Sequence, residues 1–423
     1  MIRLDTTNLM AAAVGAEHGL RPAAIARRRK AGRAAVESFR KKSESGEYGF
    51  PHLPFQEQVI RQVRAYAAGC RGRFDAICLV GIGGSALGAW ALECALRRDA
   101  KPRLVILDNV DPALIGAALE AMNPRRTLVV VITKSGSTAE TIATYLVVRR
   151  WMGKHLAGRV VAITDPEKGD LLEIARRERC PTFDVPRNVG GRFSVLSPVG
   201  LLPAALIGID IRKLCAGARD ITKAAWKTDA RENPALEAAL VHYLLGKPIQ
   251  VVFSYSSLLW GLAFWFRQLW AESIGKQGRG QTPVAALGVT DQHSQVQLYL
   301  EGPNDKVFTL WAVGAHRALR IPKAFADLDS CGYLGGQSLG TLFDAERRAT
   351  TAALTRYQRP NCTVTVERVD AWHLGALLQM MEFQTAFMGE LMGINAFDQP
   401  GVELGKRITY ALMGRKGFEE YLL

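Results

Sequence analysis

The sequence predicts an α/β protein with two parallel-rich sheets, each covered by helices on both faces. Three observations carry that expectation. Strand-like and helix-like segments alternate from about residue 48 onward. The strand segments are short, β-branched and apolar along their whole length, as in Ala76–Val80 and Leu128–Ile132, the pattern of strands buried on both faces. The alternation pauses in a polar, charge-rich stretch, Ile211 to Asn233, and then restarts, which suggests duplicated architecture without a convincing sequence repeat.

Taken in order, residues 1–47 read as a charged helical segment. A first unit, 48–213, holds candidate strands Ala76–Val80, Leu104–Leu107, Leu128–Thr133, Val160–Thr164 and Thr182–Val185. A second, 214–392, holds Ile249–Phe253, Val284–Leu287, Val307–Trp311 and Thr363–Val366, with helices over 257–274, 291–300, 338–357 and 371–392. The tail, 393–423, carries an irregular turn, Asp398–Lys406, that leads into a helix.

Composition narrows the class. A chain of 423 residues with 48% hydrophobic and 22% charged residues is that of a soluble globular protein of two or three domains. No apolar run reaches the roughly 20 residues of a membrane helix. The longest, Leu258 to Phe266, stops at Arg267 and reads as a buried helix. The N-terminus does not have the pattern of a secretory signal. Seven widely spaced cysteines, with no Cys-x-x-Cys, point to reduced thiols in a cytoplasm and away from disulfides or structural zinc. Part of the net charge of +14 sits in Arg27–Lys30, Arg33 and Arg40–Lys42. This is read as a solvated basic face rather than a nucleic-acid surface, because only Phe39 there offers an aromatic ring for stacking.

Two turns carry the chemistry. Thr133-Lys134-Ser135-Gly136-Ser137-Thr138 follows a strand and opens a helix. Hydroxyls, one lysine and free helix N–H groups make an anion site suited to a phosphomonoester. Gly81-Ile-Gly-Gly-Ser85-Ala86 follows another strand, so one phosphate would be held from two sides. Gly81-x-Gly83-x-x-Ala86, with Asp108 ending the next strand, also fits a loose dinucleotide fingerprint and keeps a nicotinamide dehydrogenase in play. Gly401-x-x-x-Gly405-Lys406 is one residue short of a P-loop and has Arg407 where Ser or Thr belongs.

Further along, Gln268 and Glu272 share a face of a very apolar helix. An unpaired carboxylate there is desolvated, its pKa rises, and it suits a general base for carbon acids; the competing expectation is a carboxylate at the solvated end of a core helix capped by Gly275. His293, in Val289-Thr-Asp-Gln-His293-Ser, is either a general acid or base or a structural residue. Arg192 follows Gly190 and Gly191, where it could stabilise an oxyanion or pair structurally with a carboxylate.

Together the blocks Gly81–Gly88, Thr133–Thr141, Asn188–Gly200, Glu272–Lys276, Gly288–Gln297 and Asp398–Lys406 resemble the glucose-6-phosphate isomerase (phosphoglucose isomerase) family in its short bacterial form. The Gly-Gly-Arg-Phe-Ser and Gln-Pro-Gly-Val-Glu-Leu-Gly-Lys blocks are specific; the Gly81 turn is not. The resemblance implies two flavodoxin-like αβα sugar-isomerase (SIS) domains, no metal or cofactor, and a homodimer in which His293 reaches the partner's site. It implies that Gly84, Ser85, Thr133, Lys134, Ser135 and Thr138 bind the sugar phosphate, with Gln399 at that end. Glu272 would move the proton between C2 and C1, Arg192 would stabilise the cis-enediolate, Gln268 would contact the sugar, and His293 and Lys406 would assist ring opening. Pro400 stands where longer family members have tryptophan, and the Thr133–Ser137 run is slimmer than theirs. A bifunctional glucose/mannose-6-phosphate isomerase and a non-catalytic SIS-domain sensor are the alternatives; the joint presence of Glu272, Arg192, His293 and Lys406 argues against the sensor.

Overall fold

The computed structural model describes residues 2–97 and 102–422. Its strands are β1 (Arg3–Asp5), β2 (Ala76–Val80), β3 (Arg103–Leu107), β4 (Thr127–Thr133), β5 (Val160–Thr164), β6 (Thr182–Asp184), β7 (Ile249–Ser254), β8 (Thr282–Leu287), β9 (Lys306–Val313) and β10 (Asn361–Val366). They form two five-stranded sheets. The first runs β3-β2-β4-β5-β6, all parallel. Counted within the sheet this is the order 2-1-3-4-5 of flavodoxin-like folds, whose topological switch point lies between the first and third strands. The two turns singled out above leave the C-terminal ends of those strands, β2 and β4. The second sheet runs β1-β10-β9-β7-β8. Its four parallel strands repeat the order of the first, and β1, antiparallel to β10 through Arg3↔Thr365 and Asp5↔Thr363, takes the place of the fifth.

Burial explains the strand sequences. Every residue of β2, β4 and β5 is buried, which is why these strands are continuous apolar runs. Ile77, Leu79, Val130 and Ile132 point into a core shared with Val252, Trp311 and Val364 of the second sheet. Their neighbours Cys78, Val80, Val129 and Val131 pack outward on Tyr145 and Val148 of the helix Ala139–Met152. The space between the sheets is filled by helices, above all Ala371–Met392, which is buried from His373 to Gly389. That helix approaches Ile211–Ala225 at backbone distance. A Cβ on Gly217 would lie 1.8 Å from the Trp372 carbonyl oxygen, and one on Gly375 would lie 1.9 Å from that of Leu214. The polar stretch around 211–225 is thus a helix with one buried face, started by Asp210, whose carboxylate accepts from the backbone N–H groups of Arg212 and Lys213.

The N-terminal segment differs from its sequence reading in one respect. It is dominated by the helix Pro22–Glu44, but it begins with the sheet strand β1. Phe39 is fully buried and stacks with Phe397, Trp226 and Phe50, so it is not a base-stacking platform. Arg40 lies over the Trp226 ring and Lys42 pairs with Glu390 at 2.6 Å, so part of the basic run is committed to the fold. No helix among the described residues is long and apolar enough to cross a membrane.

His242, on the helix Pro234–Leu245, is buried against Thr309 of β9 (Nε2···Oγ1 3.3 Å). Burial pushes its pKa down to about 4. Between the usual histidine value near 6.5 and about 4, the unfolded chain binds a proton that the folded chain refuses, so stability falls on acidification through that window. The expected contribution is about 3 kcal/mol between pH 7 and pH 4. Urea midpoints measured across that range should fall for the wild type, and more shallowly for His242→Gln.

Candidate active site

The cleft lies beyond the C-terminal ends of β2 and β4. It has a volume of about 560 Å³, and Gly84, Ser85, Thr133, Lys134, Ser135, Thr138 and Gln399 are among its lining residues. The hydroxyls form one cluster, with Thr133 Oγ1 2.8 Å from Thr138 Oγ1 and 3.4 Å from Ser135 Oγ. Thr138 stands at the N-cap of the helix Ala139–Met152, but its hydroxyl turns into the loop and caps no N–H group. The Gly83–Ser85 turn and the helix Leu87–Leu96 behind it likewise have no side-chain cap. Two helix starts therefore face the cleft with backbone donors free for an anion.

Lys134 departs from its expected role. Its ammonium donates to the backbone carbonyls of Arg187 and Val189, both at 2.7 Å, so it ties two loops together instead of standing free for a phosphate. Burial lowers its pKa. Further positive charge in the cleft lining comes from residues that sequence reasoning missed, Lys168 and Arg187. Arg187 pairs with Glu167 and lies 3.8 Å from Asp165. Asp165, buried at the end of β5, accepts from the N–H groups of Glu167 and Lys168, and these backbone bonds hold its carboxyl below the usual range.

Beside the phosphate-type loops the chain brings together Arg192, Glu272, Gln268 and Gln399. Gly84 makes this possible: a Cβ there would lie 2.3 Å from the Gly191 carbonyl carbon. Arg192 is buried and uses its whole fork. Nε donates to Ser273 Oγ (2.7 Å), Nη1 to Glu272 Oε2 (3.1 Å) and Gln399 Oε1 (2.9 Å), and Nη2 to the carbonyls of Ala396 (2.7 Å) and Asp398 (2.9 Å). Burial lowers its pKa, against the opposing pull of Glu272. The other Glu272 oxygen accepts from Gln268 Nε2 at 3.0 Å. Glu272 is not the unpaired, desolvated carboxylate that the apolar helix suggested. It sits near the C-terminal end of Trp260–Ile274, its side chain is 33% exposed, and it is ion-paired. Lys276 closes the group, bonding the Glu272 and Ser273 carbonyls and reaching Asp398 at 3.3 Å.

His293 and Lys406 stand outside this group. His293 is exposed on the turn Thr290–His293 beyond β8. Lys406 is exposed on the helix Glu403–Leu412 and pairs with Glu403 at 2.8 Å.

Duplicated αβα layers, anion loops at a switch point and a carboxylate–guanidinium pair beside them define a protein built to hold and transform a phosphorylated sugar. The family model described as phosphoglucose isomerase matches residues 56–292 and 344–417. The glucose-6-phosphate isomerase of Carboxydothermus hydrogenoformans is 45% identical over 414 residues, covering 92% of this chain and 89% of that one. Among solved structures, a hypothetical protein of Thermus thermophilus superposes with a TM-score of 0.91 at 39% identity, covering 98% of this chain and 100% of the other. A glucose-6-phosphate isomerase of Chlamydia trachomatis superposes with a TM-score of 0.75 at 26% identity, covering 85% and 73%. The chain belongs to the phosphoglucose isomerase family.

Removing the buried guanidinium leaves Glu272 and two backbone carbonyls without their donor. Arg192→Leu should therefore cost about 3 kcal/mol of stability. Arg192→Lys keeps the charge but offers three donors instead of five and should lose less. Denaturant midpoints followed by circular dichroism check both, and equal losses for the two variants would contradict the network described.

Proposed function

We propose that the protein interconverts glucose 6-phosphate and fructose 6-phosphate, as an aldose–ketose isomerase that opens the sugar ring and passes through a cis-enediolate. The observation that carries this is the joining of two halves in one place. Hydroxyl loops with free helix N–H groups form an end suited to an anion, and Glu272, held by Arg192 and Gln268, stands next to them.

In this mechanism the phosphate end is bound by Ser85, Thr133, Ser135 and Thr138 and the backbone at Gly84, with Gln399 alongside. Lys134 positions the loop, and Lys168 and Arg187 add charge. Binding far from the reacting carbons fixes C1 and C2 against the carboxylate. Glu272 takes the proton from C2 and returns it to C1, while the hydroxyl proton at O2 passes to O1. The step balances without an external oxidant or reductant. Arg192, held by five bonds that use all of its N–H groups, acts on the developing enediolate as a fixed positive charge. Gln268 contacts the sugar beside Glu272. His293 and Lys406 serve ring opening by exchanging a proton with the ring oxygen.

A homodimer belongs to the same proposal, with His293 supplied by the partner subunit. Exposed apolar side chains support it: Leu404 (60%) and Met413 (81%) at the C-terminal helix, and Phe325 (72%) and Tyr333 (71%) in the irregular stretch after β9. A cytoplasmic setting is supported by seven free cysteines.

A coupled assay from fructose 6-phosphate, without added metal, tests the chemistry. Glu272→Gln should lower kcat by about a thousandfold while a substrate analogue still binds. No turnover by the wild type, with sugar phosphate bound, would favour the sensor alternative. The shared site has its own test. Glu272→Gln and His293→Ala chains, each inactive, are unfolded together in equal amounts and refolded. Mixed dimers then hold one intact site of two, and about a quarter of wild-type activity should return. No recovery despite mixed dimers would place His293 in its own subunit's site or outside catalysis.

A further inference from the structure

A second cleft, of about 690 Å³, opens at the opposite end of the first sheet, where β2, β3 and β4 begin. Its size lies within the roughly 300–1,000 Å³ of small-molecule sites. Phe74, Ile77 and Ile209 form a buried apolar floor, and Arg64, Arg71, Arg126 and Arg212 stand around it. The two lining carboxylates are already engaged. Asp75 accepts from Arg126 at 3.2 Å, and Asp210 caps the helix Ile211–Ala225. The guanidinium groups of Arg64, Arg71 and Arg212 have no hydrogen-bond or ion-pair partner among the described residues. Four arginines against two carboxylates leave the lining with a net charge of +2, and three of the guanidinium groups are unpaired, so a multivalent anion relieves their mutual repulsion. Arginine forks match the oxygens of phosphate and carboxylate groups, and the apolar floor limits competition from water. The seven residues of β4 separate this cleft from the Thr133–Thr138 loop by roughly 20 Å.

We propose that this cleft is a second binding site, distinct from the isomerase site, for a small polyanion carrying two or more phosphate or carboxylate groups. The proposal does not rest on the isomerase reading, because its test is binding alone. The full-length chain is titrated by calorimetry with inorganic pyrophosphate and, separately, with citrate. The two probes distinguish a phosphate ligand from a carboxylate one. At least one should bind, more weakly as salt is raised, with affinity reduced about tenfold or more in Arg64→Ala/Arg212→Ala. Both arginines are exposed, so this variant should fold, and its thermal unfolding serves as the control. Binding should persist in Thr138→Val, which alters the other anion loop. Absence of binding by either probe, binding that the arginine variant retains in full, or binding lost in Thr138→Val would each overturn the proposal.

Discussion

A buried guanidinium is the constraint on which the rest of this molecule turns. Taking an arginine out of water is tolerable only when every N–H finds an acceptor, and Arg192 finds them in two separate parts of the chain. Ser273 and Glu272 come from the end of the helix Trp260–Ile274, and Gln399 with the Ala396 and Asp398 carbonyls comes from the C-terminal turn. The turn that carries Arg192 is pressed against the phosphate-type loop at Gly84. One side chain thereby locks the first sheet's loop, the inter-sheet helix and the tail into a single geometry. Any movement of one of them strands a charge or a carbonyl. The arrangement that stabilises the junction is also the one that aims a fixed positive charge at the place where Glu272 can work.

The duplicated sheets explain why such a junction exists at all. Each parallel sheet offers a crevice at its carboxyl end, and the first sheet's crevice receives the anion loops after β2 and β4. A single αβα layer could hold a phosphate there but would have little with which to surround the rest of a sugar. The second layer supplies that wall through Trp260–Ile274, whose N-terminal part packs tightly on the helix Leu87–Leu96: a Cβ on Gly261 would lie 3.0 Å from the Ala91 Cα. Gln268, one turn before Glu272, then leans over Gly83, within 2.9 Å of where a Cβ would stand. Small residues at 83, 84 and 261 are thus what lets the two layers share one cleft.

Much of this was legible in the sequence because burial on both faces leaves a strong mark. β-branched apolar runs named the nine strands from β2 to β10, and their restart after 233 marked the second layer. β1 was not legible: Arg3-Leu4-Asp5 has two charged residues and joins only as an antiparallel edge, where polar side chains are tolerated. The candidate site was legible wherever a special backbone was needed, as at Gly81–Ser85, Thr133–Thr138 and Gly190–Arg192. It was less legible where a side chain's partner is a backbone carbonyl. Nothing in the run Thr133–Thr138 tells that the Lys134 ammonium bonds to the main chain more than 50 residues away. Lys168 and Arg187 lie in no recognisable motif, but both closely follow ends of first-sheet strands, β5 and β6. Reading the polar residues after every such strand, and not only the glycine-rich ones, would have found them.

The charge distribution links these points to the proposed chemistry. A net charge of +14 looks like a single property, but the structure divides it by function. Arg28 over Tyr243, Arg40 over Trp226 and Lys42 on Glu390 use cations as packing and pairing groups, so the basic N-terminal helix is in part an element of the core's edge. Arg192 and Lys134 are spent inside, on carbonyls and a carboxylate. What remains open to solvent includes Lys168 and Arg187 at one end of the first sheet and three arginines at the other. For an enzyme whose substrate is a dianion, that remainder is what a ligand meets from a distance. A positive field over the cleft mouth raises the encounter rate and is screened by salt, whereas the charge of Arg192, buried and fully bonded, is not. Salt should therefore act on substrate capture and leave the geometry around Glu272 intact, because the two groups of charges answer to different dielectric surroundings.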